Sequence, residues 1–269
     1  MTAQLINGEA LANEIREELH KEVQTLKRDG KIPHLIAVQV GKNPASEVYI
    51  RSQSKLCEEI DIRYTLEDLP EGISEKDLIA HIEGLNSNPS ITGVILQMPL
   101  PKGINAQRVQ SSISPLKDVE GMNLASMGQL VYGKARLAPC TAMAVIELIK
   151  SSVVETRGME ATIIGRSAIV GKPVALLLLD LNVTPTICHT ATRDLTLHTK
   201  RADILVAAAG KAGLLRGNMI KPGAVVIDVG INKVPEFDAE GKPVLDKKGK
   251  QKMKIVGDVN FQEAKEVAS

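Results

Sequence analysis

"EATIIGRSAIVGKPVALLLL", residues 160–179, decides how this chain is read. A short apolar run, Ala161 to Ile164, enters Gly165, a tight turn follows, and Gly171 and Pro173 open an apolar helix carrying Val174, Leu177 and Leu178. Strand, glycine turn and helix in that order aim helix N-terminal amides, and the positive end of the helix dipole, at whatever lies over the turn; phosphate suits such a place. The spacing is not the common G-x-G-x-x-G. A triphosphate loop is excluded, because five residues separate the glycines and Pro173 stands where a Ser or Thr must reach magnesium. A glycine turn before a helix is structural about as often as it binds a ligand. Arg166, directly after Gly165, tilts the balance, as does the absence of Asp or Glu at the end of the next apolar run, "TPTICHTATR". A carboxylate there would repel a ribose 2′-phosphate, whereas a guanidinium pairs with one, so NADP is expected ahead of NAD.

Working outward, "TPTICH", "RADILVAAAG" and "GAVVIDVGIN" continue a series of short apolar strands with helical material between them. An earlier series has the same rhythm. "GEALANEIREELHKEVQTLKRDG" sets Leu11, Ile15, Leu19, Val23 and Leu26 on one helical face and ends at Gly30. "HLIAVQVG" reads as a strand, "PASEVYIRSQSKLCEEI" as a helix, "IRYTLEDL" as a strand, then a helix capped by Ser74, then "ITGVILQMPLP" as a strand. Strand, helix and strand in alternation imply parallel pairing through right-handed crossovers. Two α/β lobes follow, with a boundary near residues 135–145. The polar, basic stretch between Asn232 and Ile255 is expected to be a surface hairpin or loop.

Composition bounds the function. The 33 basic and 32 acidic residues nearly cancel, and Trp is absent, so no basic stripe interleaved with aromatics offers itself to nucleic acid. The amino terminus lacks the basic segment and apolar core of a signal peptide, and runs such as "VALLLL" are too short to span a bilayer, so a cytoplasmic protein without a membrane partner is expected. Cys57, Cys140 and Cys188 have no Cys-x-x-Cys spacing, which disfavours a zinc site or a disulfide framework and leaves buried reduced thiols and no metal.

Seven segments in order, "VGKNPASEVYI", "GVILQMPLP", "KDVEGMN", "LAPCTA", "GRSAIVGKPVALLLL", "ADILVAAAGK" and "VIDVGIN…VGDV", resemble the bifunctional methylenetetrahydrofolate dehydrogenase and methenyltetrahydrofolate cyclohydrolase family, over essentially the whole chain. The resemblance implies a homodimer whose first lobe, residues 1–139, binds folate and whose Rossmann-like second lobe, residues 140–269, binds NADP, with both reactions in the cleft between them. By position it implies that Tyr49 stacks near the pterin, that Gln97 orients the catalytic group, and that Glu120, the acidic residue before Gly121, holds the pterin ring nitrogens. Gly165, Arg166, Ser167 and Thr190 would take the adenosine end of NADP beside the Gly171 turn, and Gly210, Ile231 and Asn232 the rest. Taken singly, Tyr49 and Gln97 read more readily as ordinary strand-end or cleft-wall residues, and only the ordered company of the other segments makes them site residues; Asp228 reads also as a strand-end cap.

The chain departs from the family where the chemistry is sharpest. The family's working lysine lies four residues after the tyrosine, one helical turn along, and here that place is Gln53. Lys55 is two residues further, rotated by about 200° around the helix, and is expected to point away. Glu120, Ser126 and Ala142 stand where Asp, Asn and Pro are usual. The chain also ends before the family's Pro-Gly-Gly-Val-Gly-Pro stretch and closing helix. The resemblance therefore implies NADP-dependent oxidation of 5,10-methylenetetrahydrofolate, with Gln53 placing the following hydrolysis in doubt. A non-catalytic member that binds NADP or a protein partner in a regulatory role is the alternative.

Overall fold

A computed structural model describes residues 3–153, 155–238, 240–246 and 249–269. The chain divides into two compact units, Asn7–Cys140 and Thr141–Ser269, and the segment ending at Ile6 goes with the second. That segment pairs with the chain's last residues: Ala3 N–H donates to the Lys265 carbonyl at 2.8 Å and Gln4 N–H to that of Ser269 at 3.1 Å. A first lobe counted from residue 1 thus starts instead at Asn7.

In the Asn7–Cys140 unit, helix α1 (Gly8–Arg28) leads into strand β1 (His34–Val40), α2 (Pro44–Glu59), β2 (Arg63–Leu69), α3 (Glu75–Ser87), β3 (Gly93–Leu96), α4 (Ala106–Ser112) and α5 (Leu124–Val131). The three strands form a parallel sheet in the order β2-β1-β3, with Ala37 beside both Leu66 and Ile95. Ile36 and Val38 of β1 and Val94 and Leu96 of β3 are buried against Leu78 and Ile82, one turn apart on α3. Burying each such side chain contributes about 1.5–3 kcal/mol. Of the α1 face only Val23 is fully buried, while Leu19 and Leu26 stay 40% and 38% exposed, so that face is only partly covered.

The second unit runs from α6 (Cys140–Ser152, its first residue shared with the boundary) through β4 (Glu160–Ile164), α7 (Gly171–Asp180), β5 (Thr184–Cys188), α8 (Leu195–Thr199), β6 (Ile204–Ala207), β7 (Val225–Asp228), β8 (Asn232–Pro235), β9 (Met253–Val256) and α9 (Phe261–Lys265). Strands β5-β4-β6-β7 make a parallel sheet in that order. Ile163, Val174, Leu178, Ile204 and Val206 form its buried centre. The stretch between Asn232 and Val256 begins and ends as an antiparallel pair, β8 with β9, as its polar composition led one to expect of a surface hairpin.

Both sheets reverse their direction of growth beside their first strand. In one, β1 is followed by β2 on one side and β3 on the other; in the other, β4 is followed by β5 and then β6 in the same way. Crevices open beyond the carboxyl ends of strands at such points, and ligands of α/β proteins bind there. The residues just past β3 and β4 are Gln97 and Gly165. One expectation fails on burial: Cys57 and Cys188 are buried free thiols, but Cys140 is exposed, because it stands at the first position of α6.

Candidate functional site

Gln97 continues β3 past its last residue, its N–H donating to the Val38 carbonyl at 2.9 Å, and its side chain is buried. Its Nε2 donates to Oε1 of Gln53 at 2.7 Å. The start of α2 is pinned to the same loop, since Ser46 Oγ donates to the Met98 carbonyl at 3.1 Å. Ser46, Ile50, Gln53 and Cys57 therefore share the inward face of α2, with Ile50 and Cys57 buried. Lys55, by contrast, is exposed and paired with Glu59 at 3.7 Å. The register of α2 thus puts a neutral amide at the strand end and turns the nearest lysine to solvent. Tyr49, one turn before Gln53, is 65% exposed.

Glu120 arrives from a different segment. Asp118 bridges Val94 in parallel, and Val94 N–H donates to the Lys117 carbonyl at 2.8 Å, so residues 117–120 run alongside β3 toward the end that carries Gln97. Burial, and then the like charge of Asp118, push the Glu120 carboxyl up to about 7. Asp118 is itself committed: it accepts from Met122 N–H, Asn123 N–H and Ser126 Oγ, the last at 2.7 Å, and so anchors the start of α5. Ser126 is a structural residue in this chain.

The second group of residues lies past β4. Gly165 takes φ of +129°, and a Cβ there would collide with the Ala208 carbonyl oxygen, while a Cβ at Gly171 would collide with that of Gly165. Only glycine lets the turn close this tightly on β6 and on its own helix. Ser167 closes the start of α7: its Oγ accepts from Val170 N–H at 3.1 Å and from Gly171 N–H at 3.5 Å, and its carbonyl accepts from Lys172 N–H at 3.1 Å. Arg166 and Ser167 are exposed beside it, and Thr190 is exposed past the end of β5, whose last residue pairs with Ile164. The amides that open α7 are engaged and Pro173 has none, so what the surface over the turn offers a phosphate is the positive end of the helix dipole and one guanidinium.

Gly210 and Asn232 are brought together by a residue to which the sequence reading gave no role. Asp258, fully buried, accepts from Gly210 N–H at 2.9 Å and from Asn232 Nδ2 at 2.8 Å. Ile231, next to Asn232, is 70% exposed. The signal for Asp258 was the "VGDV" segment near the chain's end, whose short polar interruption of an apolar run marks a buried carboxylate only once its partners are known. Among the described residues no group of three or more His, Cys, Asp or Glu could hold a metal ion. No helix among them is long and apolar enough to cross a membrane.

Comparison with known proteins bears on both groups. Residues 6–120 match the family description "Tetrahydrofolate dehydrogenase/cyclohydrolase, catalytic domain", and residues 139–269 match "Tetrahydrofolate dehydrogenase/cyclohydrolase, NAD(P)-binding domain". The chain is 46% identical over 268 residues to the bifunctional protein FolD of Polaromonas naphthalenivorans, covering 100% of this chain and 90% of that protein. It is similar to the crystal structure of the bifunctional FolD enzyme of Campylobacter jejuni, with a TM-score of 0.89, 39% identity and coverage of 99% and 89% of the two chains. A Trypanosoma brucei methylenetetrahydrofolate dehydrogenase-cyclohydrolase, solved with NADP cofactor and an inhibitor, gives a TM-score of 0.86 at 34% identity, with coverage of 100% and 89%.

Proposed function

Because the chain belongs to the tetrahydrofolate dehydrogenase/cyclohydrolase family, we propose that it oxidises 5,10-methylenetetrahydrofolate to the 5,10-methenyl form with NADP, then hydrolyses that product to 10-formyltetrahydrofolate, with Gln53 slowing the second step. The observation that carries this reading is the 2.7 Å bond from Gln97 Nε2 to Gln53 Oε1, which sets position 53 at the strand end where a titratable group would otherwise stand.

The residues present fit the cofactor. The close approach at Gly165 and Gly171, the positive end of the α7 dipole and the exposed Arg166 suit a phosphorylated dinucleotide, with Ser167, Thr190, Gly210, Ile231 and Asn232 as further binding residues. When bound, NADP supplies a hydride acceptor. The chain's own part in oxidation is to hold the folate: Glu120 accepts from pterin N–H groups, Tyr49 stacks on the ring, and the Gln53–Gln97 pair orients the reacting bridge. Positioning of this kind supplies most of what hydride transfer needs.

Hydrolysis asks for more. Water must lose a proton as its oxygen bonds to the methenyl carbon, and a proton must reach the folate nitrogen as its bond to that carbon breaks. An amide does not titrate near neutral pH, and loss of a positioned acid–base group removes about 10²–10⁴-fold in rate. A single-turnover assay tests this: methenyltetrahydrofolate should accumulate in wild type and drain in Gln53→Lys. Full cyclohydrolase activity in wild type, or none gained by a folded, folate-binding Gln53→Lys, assigns the chemistry elsewhere. A full-length protein that binds NADP yet yields no NADPH from methylenetetrahydrofolate is the non-catalytic alternative. We also propose a cytoplasmic homodimer with no nucleic-acid partner; sedimentation at twice the 28.9 kDa chain mass is the expected result, and a monomer at micromolar concentration overturns it.

A further inference from the structure

We propose that Asp258 is a positioning residue that builds the second cofactor loop before any cofactor arrives, by filling with its own carboxylate a nest of backbone amides. The inference rests on the reading of Gly210, Ile231 and Asn232 as cofactor-binding. Oδ2 of Asp258 accepts from Ala209 N–H at 2.6 Å and Gly210 N–H at 2.9 Å; Oδ1 accepts from Lys211 N–H and from Asn232 Nδ2, both at 2.8 Å. Three successive amides converging on one anion form the kind of concavity that elsewhere holds phosphate. Here the anion is internal, so these amides are not available to the cofactor. Phosphate recognition is left to the turn at Gly165, and the turn after β6 contributes shape.

The surroundings commit Asp258 to this place. Its N–H donates to Asp228 Oδ1 at 2.9 Å, while Asp228 Oδ2 accepts from Val259 N–H at 3.0 Å and Oδ1 from Gly230 N–H at 2.9 Å. Its carbonyl accepts from Leu215 N–H at 3.0 Å. A Cβ at Gly230 would strike the Asp258 carboxylate, and one at Gly257 would strike that of Asp228. Two carboxylates thus clasp three segments: the turn after β6, the loop from β7 into β8, and residues 257–259. A buried charge is tolerated only where hydrogen bonds replace its lost water, so the turn is held as firmly as the charge needs it. Ala209 and Gly210 are exposed residues, yet their amides are engaged.

That contrast gives a test needing no variant and no turnover. In cofactor-free wild type, the amides of Ala209, Gly210 and Lys211 should be protected from hydrogen exchange; free exchange until NADP is added overturns the proposal. Asp258→Asn presents an NH₂ to amide donors and should weaken NADP binding about tenfold or more by calorimetry. The KM for NADP should rise with kcat at saturating cofactor nearly unchanged, a split that general loss of folded protein does not produce. Asp258→Ala leaves a carboxylate-sized gap, and formate, but not chloride at equal ionic strength, should restore part of the affinity. NADP affinity within about twofold of wild type in a cooperatively folded Asp258→Asn overturns the positioning role alone. Wild type that binds no NADP overturns the cofactor reading and this proposal with it.

Discussion

Arg166 and Glu120 carry the charge logic of the two groups. The guanidinium stands exposed beside the Gly165 turn, and on the proposed reading it pairs with the 2′-phosphate that NADP has and NAD lacks. One charge-assisted hydrogen bond contributes about 1.5–3 kcal/mol, so Arg166→Ala should erase roughly tenfold or more of the preference for NADP over NAD. Equal affinities of wild type for the two cofactors would contradict this. Glu120 makes a pH prediction. Its carboxyl is raised from 4.5 to about 7, so between those values the folded chain keeps a proton that the unfolded chain has released. Its contribution is therefore complete below pH 4.5 and is lost as pH rises through about 7, by on the order of 3 kcal/mol. Denaturant titrations of Glu120→Gln should lack that slope; a parallel dependence in wild type and variant would assign the slope to other groups. On the proposed reading that the Glu120 carboxylate accepts from pterin N–H groups, folate binding runs the other way: the KM for folate should rise as pH falls below about 7 and be insensitive to pH there in Glu120→Gln.

Helix ends and turns decide how firmly those residues are held. Ser74 accepts from Asp77 N–H at 3.1 Å and donates to Asp77 Oδ2 at 2.6 Å, the cap that the sequence marks at the start of α3. Ser74→Ala should cost about 1 kcal/mol, read as a lower denaturation midpoint with unchanged slope. The turn into α7 is less forgiving. At Gly165 a side chain meets both a positive φ and the Ala208 carbonyl, so Gly165→Ala must push the turn away from β6. Loss of NADP affinity together with a fall of several kcal/mol in stability is expected, about 1–3 kcal/mol of it from backbone strain alone. A variant with wild-type affinity would show that the close approach is dispensable. Helix α2 teaches the opposite lesson about a single position: the helix is intact, Ser46 fixes its start, and only the side chain at Gln53 differs in kind from a proton carrier.

For the molecule as a whole, a cofactor that binds only the native chain must stabilise it: NADP at about a hundredfold its Kd should add roughly 2.7 kcal/mol. A melting temperature indifferent to NADP would count against the cofactor assignment. Much of this architecture is legible in the order of residues, because local rules govern it. Apolar runs of strand length, glycine at turns that need it, and Ser74 before a helix give alternating strands and helices, and alternation gives parallel sheets with their reversal points. The spacing of Tyr49 and Gln53 on α2 likewise follows from 3.6 residues per turn. What the sequence leaves open is set by contacts between residues far apart in the chain. The partner of Gln53 is 44 residues away, the pressure on Glu120 comes from burial as well as from Asp118, and the four donors on Asp258 come from segments 26 to 49 residues distant. Periodicity reports which face of an element is apolar, and it is blind to which polar group waits across the gap. Cys140 was expected to be buried for its residue type and is exposed for its place at a helix start. Residue order alone determined the two α/β units and the phosphate-suited turn; only the tertiary structure decided which buried carboxylate is satisfied, as Asp258 is, and which is pressed toward neutrality, as Glu120 is, because hydrogen bonding and desolvation depend on neighbours that only folding supplies.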